Sequence, residues 1–169
     1  FLFSAGFEHM MEEDWDISYF IFGLLINEEC KDVLTNVLSQ INFWISCKNK
    51  GQFEQVKAEI EATDYSAMNI SVRMAKEILL ENYETAVSLM DEAMACELPP
   101  DVVETWPLFI QFRKTEYYKA FKEKYADRIE QQTVTSDDLE SNKTETKDMD
   151  ILKDDIHTDS FEEKQPSQC

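Results

Sequence analysis

Glycine and proline are scarce in this chain, three and four among 169 residues, too few for the turns that a fold of many short strands requires. Histidine is scarcer still. His9 and His157 are the two in the sequence, so a nucleophilic Ser, Cys or Thr has almost no base to pair with, and no complete triad is expected. The cysteines Cys30, Cys47, Cys96 and Cys169 stand far apart. They form neither the C-x-x-C pairs of a zinc site nor the density of a disulfide framework, and they read as reduced thiols of a cytoplasmic protein. Gly6, Gly23 and Gly51 are isolated from one another, which excludes a glycine-rich phosphate loop in these residues. The longest apolar run, Ile17 to Ile26, contains Ser18 and Gly23 and falls well short of the ~20 residues that cross a membrane. Basic residues are also few: 35 acidic against 16 basic side chains leave a net charge of −19. Affinity for phosphates comes from Lys and Arg that displace counterions, so nucleic acid is excluded as a partner and anionic membranes are disfavoured.

What remains is apolar, periodic and helical. Hydrophobic residues make up 43% and aromatics 12%, enough for a core, and the pattern predicts an all-α fold. From Asn27 the residues Val33, Leu34, Val37, Leu38, Ile41, Trp44 and Ile45 fall at the three-four spacing of one helical stripe. Asn27 is the expected cap, and Lys48-Asn49-Lys50-Gly51 supplies the cations and glycine of a helix end. Phe53, Val56 and Ile60 mark a second helix ending near Thr63, with Asp64, Ser66 and Asn69 as possible caps for the next. Ile70, Met74, Ala75, Ile78 and Leu79 draw the third, and Tyr83, Ala86, Val87, Met90, Ala93 and Met94 the fourth. These two read as an antiparallel pair. Leu98-Pro99-Pro100 stops it, Asp101 is expected to cap a short turn through Thr105, a short piece follows over Leu108 to Arg113, and a last helix begins at Thr115-Glu116.

The segment Asn69 to Pro99, with Tyr83, Ala86 and Ala93 in its second helix, Met74-Ala75 in its first and Pro99 after it, resembles a tetratricopeptide repeat, a helix-turn-helix unit of about 34 residues. The turn is about one residue short of that pattern. No second copy is apparent at a period of about 34 residues, because Trp44 and Ile45 stand upstream where small residues are wanted. The resemblance implies stacked antiparallel helix pairs, a tetratricopeptide-like solenoid or an irregular helical bundle, and by analogy the binding of a peptide or protein. The stretch Glu104 to Tyr125, with Trp106-Pro107-Leu108-Phe109 and Tyr117-Tyr118, looks like the end of bacterial helical-repeat proteins.

The organisation expected is threefold. Residues 1–26 are the end of an upstream domain or a connecting segment, since Phe1-Leu2-Phe3 reads as the middle of something and the chain as a fragment. Residues 27–132 are the helical repeat-like domain. Residues 133–169 are a disordered acidic tail, in which acids outnumber bases 11 to 4 and Phe161 is the lone aromatic, too little apolar surface to fold by itself.

No residue is assigned a catalytic, cofactor-binding or metal-binding role, and no cofactor is expected. His9 among Glu8, Glu12, Glu13, Asp14 and Asp16 suggests a metal site, but a solvated acidic linker is the preferred reading, because spacing alone does not supply the shaped cavity that hard-ion ligands need. Pairs such as Glu77 with Glu81 are expected at random in so acidic a chain. The partner-binding candidates are Arg113, Lys114, Lys119 and Lys122, which with Lys124 and Arg128 place six basic residues within sixteen, interleaved with aromatics. The competing reading makes them the wet face of the last helix, with the aromatics turned inward. The functional expectation is a non-catalytic interaction or sensing module that presents a concave face to a protein or peptide; the alternative is an accessory region of an enzyme whose active site lies upstream.

Overall fold

Helix-forming stretches separated by caps and tight turns dominate the computed structural model, which describes residues 1–28, 32–96 and 98–126. All regular structure among these residues is helical, as the sequence predicts. In chain order the helices are α1 (Leu2–Met11), α2 (Trp15–Leu25), α3 (Val33–Asn49), α4 (Phe53–Ala62), α5 (Ile70–Leu79), α6 (Tyr83–Cys96) and α7 (Pro100–Thr105). Two 3-10 turns follow, Pro107–Phe109 and Phe112–Lys114, and a last helix, α8, is described over residues 116–126. The acidic tail expected at 133–169 lies outside the described residues.

Caps explain most boundaries. The Asn69 side chain accepts from the Val72 N–H at 3.0 Å and starts α5. The cap of α3 is Asp32, which accepts from the Thr35 N–H at 2.9 Å, and not Asn27 as expected. The Asn27 amide instead donates to the Gly23 carbonyl at 2.6 Å, finishing α2. Proline sets the start of α7: Pro100 occupies its first turn, so Asp101 lies inside the helix instead of capping it.

The connections α1–α2, α3–α4 and α5–α6 share one geometry. Glu13, Gly51 and Glu81 take the left-handed backbone, with φ of 60°, 73° and 61°. In each, the next residue's N–H donates to the carbonyl five residues back: Asp14 to His9 at 2.8 Å, Gln52 to Cys47 at 2.8 Å, Asn82 to Glu77 at 2.9 Å. This is the Schellman arrangement, which satisfies carbonyls that a helix end leaves open. The residues that follow keep register. An aromatic opens each second helix, Trp15, Phe53 or Tyr83, and nine residues beyond the turn stand Phe22, Ile60 and Met90, all buried.

The helices share one core within the unit Phe1–Thr133. α1 packs on α2, α2 on α3, α3 on α4 and α5, and α5 on α6. Residues 1–26, expected as an upstream end or connector, contribute Met10 and Phe22 to this core. Small residues let the first helices approach: a Cβ on Gly6 would stand 2.9 Å from Ile21 Cγ2, and the buried Ser18 and Ser46 hydroxyls share a 2.8 Å hydrogen bond between α2 and α3. Lysines tie neighbouring turns together. Lys48 Nζ donates to the Leu79 carbonyl at 2.6 Å and pairs with Glu81 at 2.9 Å. Lys76 Nζ donates to the Glu61 and Thr63 carbonyls at the end of α4, where a cation is favoured by the helix dipole.

Candidate interaction surface

The basic cluster near the C-terminus is engaged within the chain. Arg113 donates from Nη1 to the Val103 and Trp106 carbonyls, at 3.0 and 3.2 Å, where it closes the end of α7 against the second 3-10 turn. Lys114 donates to Gln111 at 3.1 Å, Lys119 pairs with Glu116 at 2.7 Å, and Lys122 stands 3.9 Å from Glu104. Lys124 pairs with Asp91 at 2.7 Å; the Asp91 carboxyl is held below its ordinary range by Lys124 and Tyr125 against the opposing pull of burial, which is the largest single influence on it. The aromatics of this stretch divide. Phe112 and Phe121 are buried while Tyr117 is exposed, and a chain of ring contacts runs Tyr83–Phe112–Tyr118–Phe121–Tyr125. Arg128 and His157 lie outside the described residues.

The residues weighed for chemistry are held by local structure. His9 Nδ1 stands 3.6 Å from Asp14 and 4.0 Å from Glu12, both beyond hydrogen-bond reach, and the Asp14 carboxylate caps α2 by accepting from Ile17 N–H. Among the described residues no three His, Cys, Asp or Glu side chains converge as a metal site would require. Glu77 accepts from Asn82, and Glu81 pairs with Lys48. Burial pushes the Cys47 thiol up to about 11, away from the thiolate that nucleophilic chemistry needs. Among the described residues no helix is long and apolar enough to cross a membrane.

The face that α3 and α5 share is covered by the chain itself. The 3-10 turn Pro107–Phe109 packs on both helices, and Leu108 and Phe109 are buried there. Only about 10 Å³ of space remains between Ile45, Leu79, Pro107 and Leu108. No peptide fits that face without displacing this segment.

The open apolar surface lies at the other end of the sequence. Of the nine large hydrophobic side chains exposed among the described residues, all but Tyr117 fall between Phe1 and Leu34. Ile17, Phe20 and Leu24 are spaced i, i+3, i+7 along α2 and form one stripe, with Phe20 63% exposed. The buried Ser18 and Phe22 lie on the opposite side of the helix, so α2 is apolar all round, a pattern that belongs to covered helices. Beyond its end is a groove of about 320 Å³ lined by Ile26, Val33, Asn36, Val37 and Gln40. The sequence carried this signal in the run Ile17 to Ile26, whose side chains leave no polar stripe. No protein-family model, curated protein or solved structure matches the chain.

Proposed function

We propose that this chain is a non-catalytic helical interaction module, built of tetratricopeptide-like helix pairs, that works by holding a protein partner. The observation that carries the reading is the outward stripe Ile17, Phe20 and Leu24 on a helix already buried on its other side. Contiguous exposed apolar surface marks interaction sites more often than it occurs idle. The repeat part of the reading is supported by the common turn at Glu13, Gly51 and Glu81, whose unequal intervals fall on either side of the roughly 34 residues of a tetratricopeptide unit. The engaged states of Arg113, Lys114, Lys119 and Lys122 move the preferred partner surface from the basic cluster to α2.

The test is photo-crosslinking in the cells that make the protein, with a photoreactive phenylalanine at position 20 and a control at Gln55, an exposed residue of α4. A discrete protein adduct from position 20 and none from position 55 is expected. Identical labelling from both positions, or none from either, overturns the reading. Turnover by the purified chain on a panel of hydrolase and nucleotide substrates would overturn its non-catalytic part.

A further inference from the structure

The acidic residues around the α2 stripe say what kind of partner suits it. Glu12 and Glu13 stand at the turn before α2, beside the Ile17 end, and Glu28 just beyond the Leu24 end; all three are exposed. Glu8, exposed on α1, adds a fourth carboxylate. Asp16 is balanced by Lys50. Among the described residues none of the other four has a Lys or Arg within ion-pairing distance; Glu12 meets His9, at 4.0 Å. Lys31 is the single Lys or Arg among the first 34 residues. The apolar stripe is thus bracketed by exposed carboxylates, with one basic residue in the sequence around them.

The apolar surface also continues past the stripe. Leu2 at the start of α1 and Val33 and Leu34 at the start of α3 are exposed. Because α1 and α3 both pack on α2 through short connections, their starts lie near the Leu24 end of α2. Anchors at i, i+3 and i+7 span about 10 Å along a helix, the footprint of two turns of a second helix laid alongside. Helix-on-helix recognition uses this spacing.

We propose that the outer face of α2 receives an amphipathic helix of a partner protein whose apolar seam is flanked by lysines or arginines. This rests on the interaction-module reading and gives it a partner class. A second copy of this chain is a poor occupant, because two bodies that each carry −19 repel, and juxtaposed like charge discriminates against a partner. An acidic helix is rejected on the same ground. A basic one gains twice: its apolar residues cover Ile17, Phe20 and Leu24, and its cations meet Glu12, Glu13 and Glu28.

The experiment uses the full chain and a fluorescent 18-residue peptide of leucine and lysine, with leucines in one helical stripe, followed by anisotropy. The controls are a scrambled peptide of the same composition and a leucine–glutamate counterpart. The striped leucine–lysine peptide is expected to bind at least about tenfold more tightly than either control, and less tightly as salt rises. Phe20→Asp should weaken it by about tenfold or more, as loss of a central aromatic anchor does, even though the substitution adds negative charge. Phe20 is mostly exposed, so helicity by circular dichroism should be retained; Leu24→Asp provides a second variant of the same kind. Glu12→Lys with Glu28→Lys should weaken binding and flatten its salt dependence.

Equal binding of the scrambled peptide would reduce the effect to bulk charge and sink the proposal, and equal binding of the leucine–glutamate peptide would sink the role of the acidic rim. Binding indifferent to Phe20→Asp and Leu24→Asp would place the site elsewhere. Self-association in sedimentation that Phe20→Asp abolishes would make the occupant a second copy. In the last two cases the partner class fails while the interaction module survives; only failure of the crosslinking test removes both.

Discussion

At Glu13 and Glu81 a side chain with a Cβ sits in the left-handed backbone region, at φ of 60° and 61°, which costs roughly 1 kcal/mol relative to glycine. The two positions differ in compensation. Glu81 pairs with Lys48, whose side chain is only 14% exposed, whereas Glu13 has an exposed side chain at an otherwise identical turn. Glu13→Gly is therefore expected to stabilise the chain by about 1 kcal/mol, and Glu81→Gly by less or not at all, in parallel urea titrations. Equal gains would mean that the Lys48–Glu81 pair contributes nothing.

Cys47 and three tyrosines titrate on the alkaline side. Burial pushes Cys47 up to about 11 and, as the largest influence, Tyr65, Tyr83 and Tyr118 up to about 12. In the unfolded chain these groups lose their protons near ~8.5 and ~10. The unfolded state then binds fewer protons than the folded state, so stability must fall with rising pH. The contribution of these groups is expected to be complete below about pH 8.5 and to decline through pH 9 to 12. Thermal melts across that range check it; a flat profile would show that these groups are more open to water than the fold implies.

At the scale of elements, α3 to α6 were legible because their stripes recur every three to four residues and their ends carry Asn69, Gly51 and the lysines expected of caps. The repeated turn was not legible, since two of its three left-handed positions are glutamates and composition does not announce a Schellman turn there. α2 was hidden by the opposite fault: a helix apolar on every side has no stripe to read. The 3-10 turn that begins at Pro107 depends on proline and on packing against α3 and α5, and packing is not contained in a local pattern. The contacts of Arg113 were not legible for the same reason, because its acceptors, the Val103 and Trp106 carbonyls, are brought to it by the chain's own bends. Arg113→Lys is expected to cost about 1–2 kcal/mol, since an ammonium does not reproduce the planar fork, while Lys119→Gln on exposed α8 should change stability by under about 0.5 kcal/mol. Comparable effects at both sites, measured by chemical denaturation, would return Arg113 to the surface.

For the molecule as a whole, the dominant electrostatic fact is the excess of acid, 35 residues against 16 basic ones. Self-repulsion opposes the folded state, and the ion pairs of the described residues are mostly exposed and individually weak. Added sodium chloride should therefore raise the melting temperature between low salt and about 0.5 M, where screening shortens to a few ångströms. A fall would show that the lysine ties between turns outweigh the global repulsion.

Arrays of helix pairs ordinarily behave as springs, each pair touching only its neighbours and yielding in turn. Here the loop that starts at Pro107 is wedged across α3 and α5, as a splint is strapped over two joints. Pulled from its two ends on an optical trap, the chain should resist and then give way in one large rip spanning α3 to α8, not in a staircase of hairpin-sized steps. Stiffness, in this protein, would then reside in a bridging strap and not in the coil it crosses.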